Sequence, residues 1–446
     1  MLRTARRGSA EWGRASVAAL HRQLSGILHT RGRVCVYGWP DHEENSLYAA
    51  ALLAGMPGLR VTLLADKPDL AAGYLRLVCR DPSAVEVVAK NSITGLLRAS
   101  AAEVLLFTHG LYGSPDLTDR KLVINLWHGY GPKANDNAAF SARIPFSVLF
   151  CNTPVWGAAA ARWLGAADAR LRCCGNPREI AFSHPAPPAS LARLGLEQER
   201  FVLWMPTYRG SNGAAGPRWR DAPDLRARVD AAGMDPVSAL QGLADAAGVK
   251  VVVKPHPLDV SRFDGGGLHV VTTEELLANG VTLYQLIAAS AGMISDYSSA
   301  WVEYLDLDRP LVLYCPDLSD YIAGRGFSEP SMVKIAPGLI VETPLELTGF
   351  FEALATGTDW RARQRHETQA SLGLRPGLVD AEAFRTAFRE ELDRRRLRSG
   401  RTPRPARRDL LSGEPIKRSI ARSAIGVGQG QIRKRRCVTD PRTRSR

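Results

Sequence analysis

Residues 292–305, GMISDYSSAWVEYL, combine a short apolar strand, a small polar turn and the start of a helix. The strand pattern ends at Ser295, and Asp296, Ser298 and Ser299 follow at the junction. Free backbone N–H groups and the positive end of a helix dipole attract anions, so this junction suits a phosphate group. The alternative is an ordinary helix N-cap, for which Asp and Ser are also preferred. The stretch by itself leaves both interpretations open.

The same strand-turn-helix order recurs along the whole chain. Helical patterns such as 44–53, 236–246 and 283–289 lie between short apolar runs. The runs predicted as strands are 33–37, 60–65, 103–108, 122–126, 147–151, 170–174, 201–205, 250–253, 268–272, 292–295, 310–314 and 338–341. This alternation predicts an α/β protein with parallel sheets covered by helices on both faces.

The length indicates more than one domain, since single cores stop growing at roughly 250–300 residues and the chain has 446. A Pro/Ala-rich stretch at 183–190 separates the two sets of strands. We therefore predict two doubly wound, Rossmann-like domains facing a central cleft, where ligands bind beyond the carboxyl ends of the strands. The predicted organisation is a helical extension at 1–32, a first domain at 33–182, a linker at 183–198, a second domain at 199–393 and a tail at 394–446.

The positive charge is concentrated at the C-terminal end. The last 53 residues hold 18 Lys and Arg against three acids, whereas the first 393 hold 40 basic and 42 acidic residues. This composition predicts a disordered tail at 394–446. One function for such a tail is binding to an anionic membrane face, with an attraction of about 1 kcal/mol per basic residue near the surface. The alternative is a solubilising extension without a binding role. The absence of interleaved aromatic residues argues against a nucleic-acid partner.

Seven cysteines show no metal-ligand spacing, and no metal or other cofactor is expected. The basic N-terminus is followed by an apolar run that Glu11, Arg14, His21 and Arg22 interrupt, unlike a signal peptide. No segment reaches the roughly 18 apolar residues of a spanning helix. We expect a cytoplasmic protein, with peripheral binding to the inner face of the cell membrane as an option for the tail.

A histidine follows the predicted strand 122–126 in the motif Trp127-His128-Gly129. Imidazole is the side chain best suited to accept a proton near neutral pH. Gly129 allows the backbone to approach a ligand closely. The alternative is that His128 only caps the turn.

The second set of strands is followed by basic residues. Arg209 ends the polar turn after strand 201–205, and Lys254 and His256 follow strand 250–253. Prolines on both sides of His256 restrict the direction of its imidazole. The sequence lacks the GxxxxGK[ST], GxSxG, HExxH and clean GxGxxG signatures of other common chemistries.

These motifs, each placed after a strand and in this order, resemble the CDP-glycerol glycerophosphotransferase family of teichoic acid polymerases and primases. The resemblance covers roughly residues 33–360, and the segment 296–327 and the Gly-x-Pro-Arg turn at 175–178 also match. It implies a GT-B fold with an acceptor-side first domain and a donor-binding second domain. It also implies metal-independent transfer of glycerol phosphate or ribitol phosphate from a CDP-activated donor to a lipid-linked or saccharide acceptor, with release of CMP.

The resemblance also implies roles for individual residues. His128 is the expected base, and His256 is expected to bind the pyrophosphate and stabilise the departing CMP. Ser298 and Ser299 are the expected phosphate ligands. Lys254 and Arg209 are further phosphate candidates, whereas Asp296 orders the turn and Gly129 supports the His128 loop.

Two departures from the family pattern bear on the acceptor and the donor helix. Tyr130 and Gly131 follow the Trp-His-Gly motif where the family commonly has Thr-Pro, and Thr282 replaces a frequent Asp. The alternatives to polyol phosphate transfer are a GT-B enzyme that uses a nucleotide-sugar and a non-catalytic, membrane-associated scaffold of the same fold.

Overall fold

The computed structural model describes residues 2–134, 144–196, 200–208, 235–256, 260, 263, 267–374, 377 and 380–398. Within these ranges the chain forms two separate parallel sheets. The predicted α/β architecture of two Rossmann-like domains is confirmed.

The first sheet has seven parallel strands in the order β3-β2-β1-β4-β5-β6-β7. Its strands are β1 (Arg33–Tyr37), β2 (Arg60–Ala65), β3 (Val85–Ala89), β4 (Val104–Phe107), β5 (Leu122–Asn125), β6 (Val148–Cys151) and β7 (Arg170–Cys173). Cys35 of β1 pairs with Thr62 on one side and with Leu105 on the other. Strand β3 was not predicted, because Glu86 interrupts the continuous apolar run that marks the central strands.

The second sheet has six parallel strands in the order β10-β9-β8-β11-β12-β13. Its strands are β8 (Phe201–Trp204), β9 (Lys250–Val253), β10 (His269–Val270), β11 (Gly292–Ser295), β12 (Leu311–Tyr314) and β13 (Ile340–Val341). Strand β11 is therefore central, between β8 and β12. Its side chains are buried throughout, as expected for a strand with helices on both faces.

Helices connect the strands. They are α1 (Leu2–Ile27), α2 (Glu44–Ala54), α3 (Pro68–Val78), α4 (Ile93–Ala101), α5 (Pro154–Trp163), α6 (Pro188–Arg193), α7 (Pro236–Ala247), α8 (Thr273–Ala278), α9 (Leu283–Ala289), α10 (Ala300–Tyr304), α11 (Leu318–Gly324), α12 (Met332–Ile335), α13 (Pro344–Thr356), α14 (Ala362–Leu372) and α15 (Ala381–Arg398). Their ends follow local signals: Asp235 caps α7, and Gly248 ends it in a left-handed conformation. None of the described helices has the length and apolar content needed to cross a bilayer.

The two sheets share one continuous apolar core. The buried indoles of Trp156 and Trp301, from α5 and α10, meet edge to face with ring centres 5.7 Å apart. Backbone contacts also join the two sides: Ser328 donates its N–H to the carbonyl of Pro132 at 2.8 Å. The carboxyl edges of the two sheets are thereby held close to one another.

Helix α15 packs against the first sheet, although the sequence assigned most of it to the second domain. Phe384 lies edge to face with Phe150 at 5.5 Å, and Arg396 pairs with Glu103 at 2.8 Å. The helix continues to Arg398, so the first residues of the segment expected to be disordered are helical. Buried apolar residues and ion pairs anchor this arginine-rich end, which composition alone could not indicate. The rest of the predicted tail lies outside the described residues, and the domain boundaries stay predictions.

Candidate active site

Each sheet has a topological switch point, where the strand order reverses. In the first sheet it lies between β1 and β4, and in the second between β8 and β11. Ligands of doubly wound sheets bind in the crevice that opens at this point, beyond the carboxyl ends of the strands. The segments that leave β4 and β5 in the first sheet, and β8, β9 and β11 in the second, therefore define the candidate site.

The loop after β5 is held in a strained conformation. Trp127 has φ = 49°, in the left-handed region that a bulky residue rarely adopts. The Asn125 side chain accepts a hydrogen bond from the N–H of Trp127 at 2.8 Å. The side-chain amide of Asn45 donates to the carbonyl of Trp127 at 3.1 Å. Strain of this kind costs about 1–3 kcal/mol and persists where the surroundings fix it. Two buried asparagines thus set the direction in which His128 leaves the sheet.

The His128 ring lies in a cleft. Solvent reaches the side chain, yet the surrounding protein excludes enough water to lower the pKa of the imidazole well below 6.5. The positive charge of Arg178 and the neighbouring His109 lower this pKa further, whereas a hydrogen bond to the backbone of Thr108 opposes them. A neutral, accessible imidazole is the form that can accept a proton.

His109, which the sequence analysis did not select, stacks on His128. Their ring centres are 4.3 Å apart and their planes differ by 8°. Burial lowers the pKa of His109 to about 4. The signal was present in the sequence: Thr108-His109-Gly110 follows β4 as Trp127-His128-Gly129 follows β5, and the two strands are neighbours.

The loop after β5 touches the loop after β11 of the other sheet. A Cβ atom placed on Gly129 would lie 2.4 Å from the hydroxyl oxygen of Ser299, and one on Gly131 would lie 2.9 Å from the Ser299 Cα. Both positions therefore require glycine for close packing, and Gly129 also has φ = 143°. The structure thus brings the predicted His128 loop and the predicted serine turn together.

Asp296 orders the serine turn, which contains Ser298 and Ser299. This buried carboxylate accepts hydrogen bonds from the N–H of Thr207 at 2.9 Å and from the N–H of Ser298 at 3.3 Å. The Thr207 hydroxyl donates to the same oxygen at 2.6 Å. Asp296 thereby ties the loop after β8 to the loop after β11, and this geometry fits a turn-ordering role.

The two serines are half-buried at the start of α10. Ser299 occupies the N-cap position without a side-chain cap hydrogen bond, and the N–H of Ala300 approaches the Ser298 hydroxyl at 3.4 Å. Helix α10 spans only Ala300–Tyr304 before a 3₁₀ turn. The serine hydroxyls and local N–H groups, rather than a long helix dipole, are therefore the anion-binding feature of this turn.

The basic residues after β9 differ in accessibility. His256 is exposed, and its ring centre is 5.0 Å from that of Tyr208 after β8. Lys254 is buried and its ammonium group donates to the carbonyl of Pro255 at 3.0 Å. Burial lowers the pKa of Lys254 to about 8. Arg209 lies outside the described residues.

Arg178, in the Gly-x-Pro-Arg turn, links the two halves of the site. Its guanidinium donates to both carboxylate oxygens of Glu303 in α10, at 3.0 and 2.6 Å, and to the carbonyl of His128 at 3.0 Å. The ring of Tyr284 in α9 packs beneath it, 4.6 Å from the guanidinium carbon. The sequence showed a basic turn here, but not its partner 125 positions away.

A second link joins the sheets at α9. Glu44, at the start of α2, accepts hydrogen bonds from the N–H groups of Leu283 and Tyr284 at 2.8 and 3.3 Å. Thr282 caps α9 with its hydroxyl. Glu44 therefore supplies, from α2, the carboxylate that an Asp at position 282 would place at the start of α9. Burial raises the pKa of Glu44 to about 7.

Among the described residues, no three His, Cys, Asp or Glu side chains cluster as metal ligands would. The structure therefore offers a proton acceptor from the first sheet facing a hydroxyl-rich turn from the second. This arrangement can remove a proton from a nucleophile and bind phosphate oxygens on the opposite side.

Comparison with known proteins finds relatives over most of the chain. A sequence profile of the family described as CDP-Glycerol:Poly(glycerophosphate) glycerophosphotransferase matches residues 175–371, which include the turn of Arg178, the serine turn and His256. The chain is 26% identical over 355 residues to the teichoic acid ribitol-phosphate primase of Bacillus spizizenii, covering 72% of this chain and 82% of that protein. It is also 40% identical over 67 residues to the teichoic acid ribitol-phosphate polymerase TarK of Staphylococcus aureus, covering 15% of this chain and 12% of that protein.

Among solved structures, the wall teichoic acid polymerase TagF superposes with a TM-score of 0.61 at 15% sequence identity, over 88% of this chain and 97% of that chain. This likeness concerns the fold. The profile match, the sequence relatives and the order of the post-strand motifs agree with one another. Residues 175–371 thus match the CDP-glycerol:poly(glycerophosphate) glycerophosphotransferase family, and the chain as a whole is similar to a teichoic acid primase.

Proposed function

We propose that this protein transfers a polyol phosphate, glycerol phosphate or ribitol phosphate, from a CDP-activated donor to an acceptor hydroxyl during synthesis of a teichoic acid-like polymer. The observation that carries the proposal is the contact between the His128-Gly129 loop and Ser299. It supports a proton acceptor and a phosphate-binding turn on opposite sides of one cleft. The acceptor is a lipid-linked or saccharide hydroxyl.

In the proposed reaction, the acceptor hydroxyl gives its proton to His128 and its oxygen attacks the phosphorus that carries the polyol. The bond from this phosphorus to the bridging oxygen breaks, and CMP leaves with the bonding electrons. Charge then grows on the leaving phosphate and the transferred phosphoryl oxygens, where positioned donors stabilise it. Ser298, Ser299 and the exposed His256 supply these donors, and the buried Lys254 supports the turn beneath them.

The test of this function is donor selectivity with metal ions removed. With EDTA and a short-chain lipid-linked saccharide as acceptor, we expect CMP release from CDP-glycerol or CDP-ribitol. Turnover confined to UDP- or GDP-sugars would instead support the glycosyltransferase alternative. A folded protein that turns over neither class would support the non-catalytic scaffold. The size of the product distinguishes addition of one unit from polymerisation.

The basic C-terminal segment is proposed to bind the anionic inner face of the cell membrane. Truncation after Arg398 is expected to weaken binding to vesicles of phosphatidylglycerol and phosphatidylcholine, because each lost Lys or Arg removes about 1 kcal/mol of attraction. Turnover of soluble substrates should be unchanged. The cut must follow Arg398 because α15 and the Arg396–Glu103 pair belong to the folded protein. Vesicles of phosphatidylcholine alone are the control, and equal binding by both chains would favour a solubilising extension.

A further inference from the structure

His109 is placed beside the proposed base without any role in the mechanism above. It follows β4, next to the switch point of the first sheet, and its half-buried ring lies parallel to that of His128. Its Nδ1 atom is 2.8 Å from the hydroxyl of Thr108, which fixes its rotation. The indole of Trp39, from the loop after β1, contacts its ring edge to face at 5.7 Å. His109 is thus held by its own strand end and by the neighbouring loop.

Contacts with neighbouring groups restrict the orientation of the His128 ring. His109 covers one side at 4.3 Å, and Trp127 contacts the ring at 4.0 Å with a tilt of 38°. The backbone of Thr108 binds the ring by a hydrogen bond. A base must be held near the productive geometry, since a misplacement of about 1 Å can cost a hundredfold in rate.

We infer that His109 is a positioning residue for the transfer reaction, which uses its flat ring to fix the plane of the His128 imidazole and to exclude water from one side of it. His109 does not itself exchange the proton in this assignment. The inference rests on the proposed role of His128 as the base. Its physical basis is ring stacking, which any flat aromatic side chain of similar size supplies.

The pKa of His128 should depend on the presence of the His109 ring. The charged and titratable groups that face His128 are His109 from the β4 loop and Arg178 from the Gly-x-Pro-Arg turn. Removing the His109 ring would admit water to His128 and so weaken the burial that disfavours its protonation. The pKa of His128 would then rise toward 6.5, and the acid limb of the pH profile, below which the base is protonated, would move to higher pH.

Three substitutions distinguish the contribution of the flat His109 ring from that of its hydrogen bond with Thr108. His109→Ala removes both and is expected to lower kcat about tenfold, with the acid limb of kcat/KM moved to higher pH. His109→Gln keeps a polar group without a flat ring and should resemble the alanine variant. His109→Phe keeps a flat ring and should retain kcat within about threefold, with an unchanged acid limb.

The matched control is His42→Ala. His42 lies at the same sheet edge, after β1, and burial also lowers its pKa. Its ring contacts Tyr74 at 5.6 Å rather than His128, so this variant should leave the acid limb in place.

The decisive measurement is NMR titration of the His128 ring protons in each folded variant, which does not depend on turnover. A higher His128 pKa in the Ala and Gln variants, with the wild-type value in the Phe variant, supports the inference. An unchanged His128 pKa in His109→Gln, or a Phe variant as impaired as the alanine variant, overturns it. Failure of the proposed function gives a different result, since the wild-type protein would then release no CMP from CDP-glycerol or CDP-ribitol, whereas the NMR titration of His128 could still be carried out.

Discussion

Replacing His128 with alanine is expected to lower kcat for CMP release by about 100-fold or more, the usual contribution of a positioned acid-base group. The KM for the CDP-polyol should change little, because His128 is proposed to act on the acceptor hydroxyl whereas the donor phosphates are assigned to the serine turn. Loss of kcat with an unchanged KM is the signature of an interaction made in the transition state.

The pH profile gives a second measurement of the same residue. The cleft lowers the pKa of His128, so the neutral, proton-accepting form persists below the usual histidine value of 6.5. The acid limb of kcat/KM in the wild-type protein should therefore lie below pH 6.5. The residual activity of the alanine variant should lack this limb.

Two parallel variants make the result specific. His256→Ala is also expected to lose about 100-fold or more in kcat, with a larger effect on donor binding because His256 lies on the second-sheet side. His184→Ala removes an exposed histidine at the end of the 3₁₀ turn Pro177–Ser183 and should leave turnover unchanged. Full activity in the His128 variant would exclude His128 as the base.

Replacing Glu303 with alanine is expected to lower the free energy of unfolding by about 3–5 kcal/mol, the cost of removing one partner from a buried ion pair. The Arg178 side chain is 10% exposed and that of Glu303 is fully buried, with 2.6 Å between their closest atoms. Glu43 remains 3.6 Å from the guanidinium, but its oxygens already accept N–H groups at the start of α2. The change can be measured by urea denaturation followed by tryptophan fluorescence.

The double variant Arg178→Met with Glu303→Leu is the sharper comparison. Because it removes both charges, it should regain most of the stability that the single variant loses. Its turnover should nevertheless stay low, because Arg178 also holds the carbonyl of His128. The double variant would then be stable but poorly active. This result would distinguish the stabilising effect of the ion pair from the effect of Arg178 on the His128 loop.

An exposed pair provides the control for this measurement. Lys334 and Glu329 are 3.0 Å apart with side chains 67% and 72% exposed, and Glu329→Ala should cost less than about 1 kcal/mol. If Glu303→Ala costs no more than this control, the Arg178–Glu303 pair does not stabilise the contact between the two halves of the site.

The places of several candidate site residues at strand ends could be predicted because they depend on local pattern. Ser298, Lys254 and His128 each follow a short apolar run, and residues after parallel strands must meet at one edge of the sheet. Gly129 was visible as a point of close approach, but the Ser299 side chain that packs against it was not. Arg178 was visible as a basic turn without a partner.

Most strands and helices, and the polar residues that follow them, could be predicted from the sequence, since hydrophobic periodicity and turn residues act over a few positions. The stacking of His109 on His128, the packing of Gly129 on Ser299 and the pairing of Arg178 with Glu303 are visible only in the folded protein. These contacts join residues on different strands or different sheets. The choice among distant partners depends on how the two sheets pack and on the need to pair every buried charge, and no local pattern carries that information.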